Sequence, residues 1–187
     1  MASRQVLVPP PPYKFRLMTL DDVAAVYELD RLCFPTPARK GMFEHEISGN
    51  DLAYYHVLTV DEKVIGFAGY WLIRDEIHIS AIGIHPHWQR CYFGELLLLN
   101  MLLLAYTHPA NMMTLEVRRS NVAAQKLYLK YKFEIVGERR RYYRDTGEDA
   151  LIMTMPALDA SFHQFLQSQQ TDLLARLPVR NHGRHPV

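Results

Sequence analysis

Residues 77–132 carry two strand-to-helix joints in tandem, and few folds accommodate both. The stretch opens with IHISAIGIHPHWQRCYFGELLLLNMLLLAY and, after a short break, continues as MMTLEVRRSNVAAQKLYLKYKF. A β-rich run feeds a compact polar loop and a leucine-rich helix; a second run then passes through Arg-Arg-Ser-Asn into another helix. Such alternation calls for helices packed on a sheet. Each helix start also presents backbone N–H groups with no partner inside the helix, so the joints are suited to holding an anion. Both alternating side-chain sets of residues 77–84 are apolar (Ile77, Ile79 and Ala81; Ile82 and Ile84), which predicts a central strand covered on both faces. Gly83 within it marks either a bulge or a close backbone approach.

The rest of the chain supplies the surroundings of that centre. Pro9 to Pro12 favour an extended arm, so the domain is expected to begin near Tyr13 with a first strand. Thr19 followed by two acids opens a helix running to about Cys33, and after Phe34-Pro-Thr-Pro a second helix is expected over residues 38–48. Residues 54–60 and 64–72 read as a hairpin closed by Asp61-Glu-Lys, with residues 77–84 completing an antiparallel meander. Helices are expected over 94–107 and from the Ser120-Asn121 cap to about Tyr131, with strands at 112–117, 133–143 and 150–155. The predicted order is β, α, α, three β, α, β, α, β, β. The fold class is α/β (α+β): a mixed, mostly antiparallel central sheet flanked by helices. Phe162, Phe165, Leu166, Leu173, Leu174 and Leu177 add an amphipathic C-terminal helix. The expected organisation is a flexible proline-rich arm at 1–12, one domain at 13–156, and a C-terminal helix with a disordered tail at 157–187.

Charge and cysteine content exclude several classes. The 21 basic and 20 acidic side chains of the 187-residue chain leave a formal charge of +1, so nothing in bulk favours nucleic acid or an anionic membrane. The longest apolar run, 96–105, is about half of what a bilayer requires and is broken by Asn100. Cys33 and Cys91 fit neither a disulfide framework nor a zinc spacing, and a cytoplasmic setting is expected. His78, His85 and His87 do not combine into regular ligand spacing, so no metal is expected. Arg139-Arg-Arg-Tyr-Tyr-Arg has the look of a nucleic-acid patch, but a strand sends alternate side chains to opposite faces, and a rim around an acceptor site is the more economical reading.

Three segments in order, HPHWQRCYFG, LEVRRSNVAAQKLYLKYKF and RRRYYRDTGEDALIMTM, resemble the GNAT acyl-CoA-dependent N-acetyltransferases. Within that superfamily they are most similar to the RimI-like enzymes that acetylate the N-terminal amine of a ribosomal protein. The resemblance covers roughly residues 15–156. It implies acetyl-CoA as co-substrate and a loop of pattern Q/R-x-x-G-x-G/A whose amides wrap the pyrophosphate, here Gln89, Arg90, Cys91, Tyr92, Phe93 and Gly94. Tyr92 stands where the pattern has its first glycine, and a side chain there restricts the backbone if positive φ is required. The main chain of Ile82, Gly83 and Ile84 would meet the cofactor, one amide polarising the thioester carbonyl. Asn121 caps its helix and, by resemblance, contacts CoA.

The resemblance assigns Glu116 to proton removal from the amine and Tyr128 to protonation of the departing thiolate. The chemistry needs both, since an α-amine with a reference pKa near ~8 is mostly protonated at neutral pH. The plain alternatives are an ion pair of Glu116, with Arg118 near in sequence, and a packing role for Tyr128. Cys91 as an acyl-accepting nucleophile lacks a His-Asp partner, so direct attack in a ternary complex is the expected course. Expected partners are therefore acetyl-CoA and a protein or peptide N-terminus, with a ribosomal protein as the implied acceptor, and neither nucleic acid nor membrane. A small amine, an internal lysine, and a non-catalytic acyl-CoA-binding or interaction module are the alternatives.

Overall fold

The computed structural model describes residues 7–155 and 157–178. Their elements run β1 (Tyr13–Leu17), α1 (Val23–Cys33), α2 (Met42–Ser48), β2 (Ala53–Val60), β3 (Lys63–Ile73), β4 (Glu76–Ile84), α3 (Phe93–Ala105), β5 (Met112–Arg118), α4 (Val122–Lys130), β6 (Glu134–Tyr143), β7 (Glu148–Met155) and α5 (Ala160–Arg176). The strands form one sheet in the order β1-β2-β3-β4-β5-β7-β6. Only β4 and β5 pair in parallel, because the α3 crossover joins them; every other neighbour is antiparallel. β4 is central, as its two apolar faces require.

Two apolar clusters fill the two faces. Val23, Val26 and Leu29 of α1 and Phe43 of α2 pack with Tyr55, Val57 and Phe67 on one side. On the other, α3 lies between the sheet and α5, so Phe93 and every residue from Leu96 to Ala105 are buried. A helix covered on all sides needs no polar stripe, and no described helix is long and apolar enough to cross a membrane. Asp159 caps α5 by accepting from Phe162 N at 2.8 Å, and Phe162, Leu166 and Leu173 bury its inner face. At the opposite end, Asp61 and Glu62 turn the β2–β3 hairpin with φ of 47° and 64°, the left-handed pair that a two-residue hairpin turn requires.

Three expectations need correction. The second helix starts at Met42 instead of Ala38, after Gly41 at φ 84°, because Asp30 holds the Ala38 amide at 2.6 Å and keeps the preceding segment out of helical register. The arm is not loose over 7–12: Leu7 and Pro9 are buried, Leu7 within the α3-side cluster, and the Tyr13 hydroxyl donates to Pro178 O at 3.1 Å. Residues 1–6 and 179–187, where the start of the arm and the tail were expected, lie outside the described residues. The third concerns Gly83, where no bulge occurs. Gly69 pairs with Ala81 and Tyr70 with Ile79, leaving Ser80 as the extra residue of β4.

Candidate active site

The parallel ladder between β4 and β5 ends at Ile79–Leu115. Beyond that pair β4 continues to Ile84 against β3 alone, and β5 continues to Arg118 against β7 alone. The strands therefore part, with Ile82, Gly83 and Ile84 on one lip and Glu116, Val117 and Arg118 on the other. The physical cause is the Ser80 bulge, one residue past the last shared pair, since an extra residue bends a strand and increases its twist. A wedge opening in the middle of a sheet exposes strand backbone without exposing a sheet edge.

The first joint closes one end of this wedge. Gln89 Nε2 donates to Ile84 O at 3.0 Å and the Cys33 thiol donates to the same oxygen at 3.2 Å, fixing the loop to the end of β4. Arg90 and Tyr92 take φ of 60° and 68°. Tyr92 is thus the N-cap of α3 in the left-handed conformation that glycine would adopt freely, at a cost of roughly 1 kcal/mol. The residue is 45% exposed and its side chain makes no cap, which leaves the first-turn amides of α3 without a side-chain acceptor. At Gly94 an added Cβ would have Ile84 Cγ1 at 3.9 Å as its nearest neighbour, so that helix start is open. Gly83 is different. An added Cβ would lie 2.6 Å from Phe67 Cε1, so packing alone already demands glycine there. Phe93 is fully buried, and Cys91 is half-buried against the core. Burial pushes the Cys33 thiol up to about 11, far from a nucleophile at neutral pH.

Glu116 occupies the other lip. Its side chain is 7% exposed; Oε2 lies 2.8 Å from His78 Nε2 and Oε1 lies 3.1 Å from Arg139 Nη2. The close approach of His78, with Arg139 adding its charge, holds the carboxyl below the usual range against the opposing effect of burial. The alternative of an ion pair with Arg118 does not hold. Arg118 instead reaches Asp145 at 2.6 Å and Glu148 at 3.4 Å, and its guanidinium lies 3.9 Å above the Tyr143 ring, which ties the β6–β7 hairpin to β5. Glu148 also accepts from Ser120 N at 2.6 Å, and Arg119 pairs with Glu138.

Tyr128 is buried on α4, and burial, with Tyr143 contributing, keeps its phenol well above the ordinary range. Its ring packs 5.7 Å from Phe133. Tyr143 connects the two halves: its hydroxyl donates to Glu116 O at 3.5 Å, and burial pushes its phenol up to about 12. Asn121 caps α4 by accepting from Ala124 N at 3.1 Å, as its position predicts. In the basic run, the β6–β7 register is interrupted between Arg139 and Tyr143, and Arg141 takes φ 51°. Regular alternation is lost there: Arg139 meets Glu116 and stands 5.5 Å from the Tyr142 ring, whereas Arg140 pairs with Glu138.

His78 is the member of this constellation that sequence reasoning did not assign to it, whereas Arg139 and Tyr143, expected as part of a rim around an acceptor site, meet Glu116 itself. The signal for His78 was present, as a histidine in a central strand that is mostly apolar on both faces is uncommon and calls for a partner. Nothing local names that partner. Among the other histidines, His85 Nδ1 accepts from His87 N at 3.2 Å, and no group of three potential metal ligands occurs among the described residues.

The chain is similar to known proteins in both sequence and fold. A Bacillus subtilis (strain 168) protein named provisionally as a ribosomal protein bS18-alanine N-acetyltransferase is 39% identical over 138 residues, covering 74% of this chain and 91% of that protein. The ribosomal protein bS18-alanine N-acetyltransferase of Escherichia coli (strain K12) is 31% identical over 137 residues, with coverage of 72% and 91%. The crystal structure of the Escherichia coli ribosomal-protein-S18-alanine N-acetyltransferase superposes with a TM-score of 0.73 at 28% identity, covering 79% of this chain and 96% of that one. The sequence profile of the acetyltransferase (GNAT) family matches residues 23–133, which span the parted strands and both joints. With the wedge, the open α3 start and the Glu116 lip all on the elements that profile describes, the chain belongs to the GNAT acetyltransferase family.

Proposed function

We propose that this acetyltransferase modifies the α-amine of a protein N-terminus, with a ribosomal-protein alanine as the acceptor. Acetyl-CoA, the co-substrate of the family, supplies the activated thioester. The observation that carries the reading is the Glu116 carboxylate, almost fully buried where β4 and β5 part and held there by His78 and Arg139. Relatives named for bS18-alanine N-acetylation support the acceptor, and the two free thiols accord with a cytoplasmic setting.

In this reading each residue has a role. The amides of Arg90, Cys91, Tyr92, Phe93 and Gly94 surround the pyrophosphate at the uncapped start of α3, where the roomy Gly94 fits a close phosphate, while Gln89, whose own amide donates to Pro86 O at 3.3 Å, braces the loop. Main-chain groups of Ile82, Gly83 and Ile84 line the pantetheine arm and polarise the thioester carbonyl, and Asn121 borders the cofactor from the α4 cap. Glu116 carries proton removal from the attacking amine. As the new C–N bond forms and the C–S bond breaks, Tyr128 gives its hydroxyl proton to the sulfur. Its raised affinity for that proton keeps it protonated at neutral pH. The acceptor peptide enters between the segment following α1 and the Tyr142–Tyr143 end of β6. Phe43, fully buried, belongs to the core beneath that groove and not to its lining.

Mass spectrometry of a peptide panel after incubation with acetyl-CoA tests the reading. The panel holds free N-terminal alanine peptides, N-terminally blocked lysine peptides and small amines. One acetyl group on the N-terminal amine of the alanine peptides is the expected result. Acetylation confined to lysine or small amines overturns the acceptor. Thermal stabilisation by CoA with no thiol release from any amine leaves a binding module in place of an enzyme.

A further inference from the structure

Nearly every side chain of β4 facing either core is apolar, yet His78 sits among them with Nε2 at 2.8 Å from Glu116 Oε2. Position 78 pairs with Thr114 across the parallel ladder, at the point where β4 and β5 are about to part. The groups around the pair come from three further elements. Arg139 of β6 takes the other carboxylate oxygen at 3.1 Å, and Tyr142 and Tyr143 of β6 lie beside it. Trp71 of β3 stands 5.7 Å from the imidazole and donates its Nε1–H to Glu46 of α2 at 2.5 Å, so Glu46 is engaged elsewhere. Glu116 is therefore the carboxylate left to the imidazole, and among the described residues no protein group binds His78 Nδ1.

A guanidinium and an imidazole nitrogen against one carboxylate make it a poor proton acceptor. Arg139 and His78 both stabilise the anionic form of Glu116, so a proton taken from an ammonium group would bind weakly there. A base works best when its proton affinity is near the operating pH, and imidazole is the side chain that titrates in that range. A neutral imidazole that donates from Nε2 keeps its lone pair on Nδ1.

We propose that the base of the site is the Glu116–His78 pair, with Glu116 holding Nε2–H and His78 Nδ1 taking the proton of the attacking amine, directly or across one water. The amine N–H bond breaks as the Nδ1–H bond forms. The positive charge of the resulting imidazolium faces the Glu116 carboxylate, and the proton then leaves to water, to which the His78 side chain is 23% exposed. The same division of labour, a carboxylate orienting an imidazole that moves the proton, serves nucleophile activation in hydrolytic triads. This inference rests on the acyl-transfer reading above and refines its base.

The test compares wild type with His78→Gln, whose amide can still donate to Glu116 but has no lone pair to titrate, and with Glu116→Gln. Turnover and KM for acetyl-CoA are read from about pH 5 to 9, spanning the imidazole range. His78→Gln is expected to lose about 10²-fold in kcat at neutral pH with acetyl-CoA KM within about twofold, to lose the acidic limb of the wild-type profile, and to recover as free amine accumulates above about pH 8. A kcat within about threefold of wild type and an unchanged profile, beside an impaired Glu116→Gln, would make Glu116 the base alone and overturn the proposal. Absence of transfer to any N-terminal peptide by the wild type is a separate outcome, and it removes the acceptor reading and this inference together. Nitrogen-15 imidazole spectra of the wild type supply a readout independent of variant folding. The neutral ring of His78 is expected as the Nε2–H tautomer, and the Nδ1–H tautomer refutes the proposal.

Discussion

Alanine at Gly83 would place a Cβ 2.6 Å from Phe67 Cε1 and 3.2 Å from its Cδ1 and Cζ. Gly83 and Phe67 are directly opposed on β4 and β3, so the ring lies over the glycine. Phe67 cannot swing clear, because it is fully buried with Phe43 at 5.7 Å and Phe34 at 6.4 Å, both edge-on. Overpacking of this kind costs about 1–3 kcal/mol. An offset of about 0.5–1 kcal/mol comes from the stiffer unfolded chain, since Gly83 does not need positive φ. The net expectation for Gly83→Ala is a loss of about 1–2 kcal/mol, or a fall of roughly 2–8 °C in Tm for a chain of this size. Thermal or urea unfolding without ligand measures it. Phe67→Leu in the Gly83→Ala background should recover about 1 kcal/mol relative to additivity. Unchanged ligand-free stability together with weakened acetyl-CoA binding would refute the packing explanation and return Gly83 to a ligand-clearance role.

Tyr92→Gly is expected to leave stability within about 1 kcal/mol of wild type, as relief of left-handed strain is offset by unfolded-state entropy, whereas Tyr92→Val should cost about 1–2 kcal/mol more, as read by urea unfolding. Equal stabilities for the two variants would contradict the φ of 68°. Tyr128→Phe should lower kcat about 10²-fold while calorimetric CoA affinity stays within about twofold; unchanged turnover removes it as the acid. Asp22 accepts from Arg16 at 2.6 and 2.7 Å and from Thr19 N at 2.9 Å, and these bonds, Arg16 first, hold its carboxyl below the usual range. A depressed carboxyl stabilises the fold above its unfolded pKa and loses that contribution as pH falls through the folded one. Asp22→Asn should therefore cost about 1–2 kcal/mol at pH 7, limited by solvent screening of the half-exposed Arg16, and progressively less in acid. A pH-independent penalty would contradict the ion-pair account.

Legibility varied with the range of the interaction involved. The element order could be read because periodicity, turn residues and caps act within a few residues, as at Asn121 over the start of α4 and Asp61-Glu62 in the β2–β3 turn. Tyr92 was legible as a glycine-like position, and the structure gives it the backbone conformation that the pattern implies. The second helix began late because Asp30, a residue of the first helix, captures the Ala38 amide, an interaction no local pattern announces. The prolines from Pro9 to Pro12 read as a loose arm that includes Leu7, yet the α3-side core takes Leu7 in.

The chain by itself determined the central strand, the two joints and the residue types around them, since burial on both faces and helix capping are written in short-range patterns. Tertiary structure decided what those residues do. The Ser80 bulge parts β4 from β5; His78 and Arg139 arrive from different strands to grip Glu116, while Arg118, the near neighbour in sequence, turns to the β6–β7 hairpin. Side chains two apart on a strand share a face, but their partners are chosen by the neighbouring strand's register, and register is a property of the whole sheet.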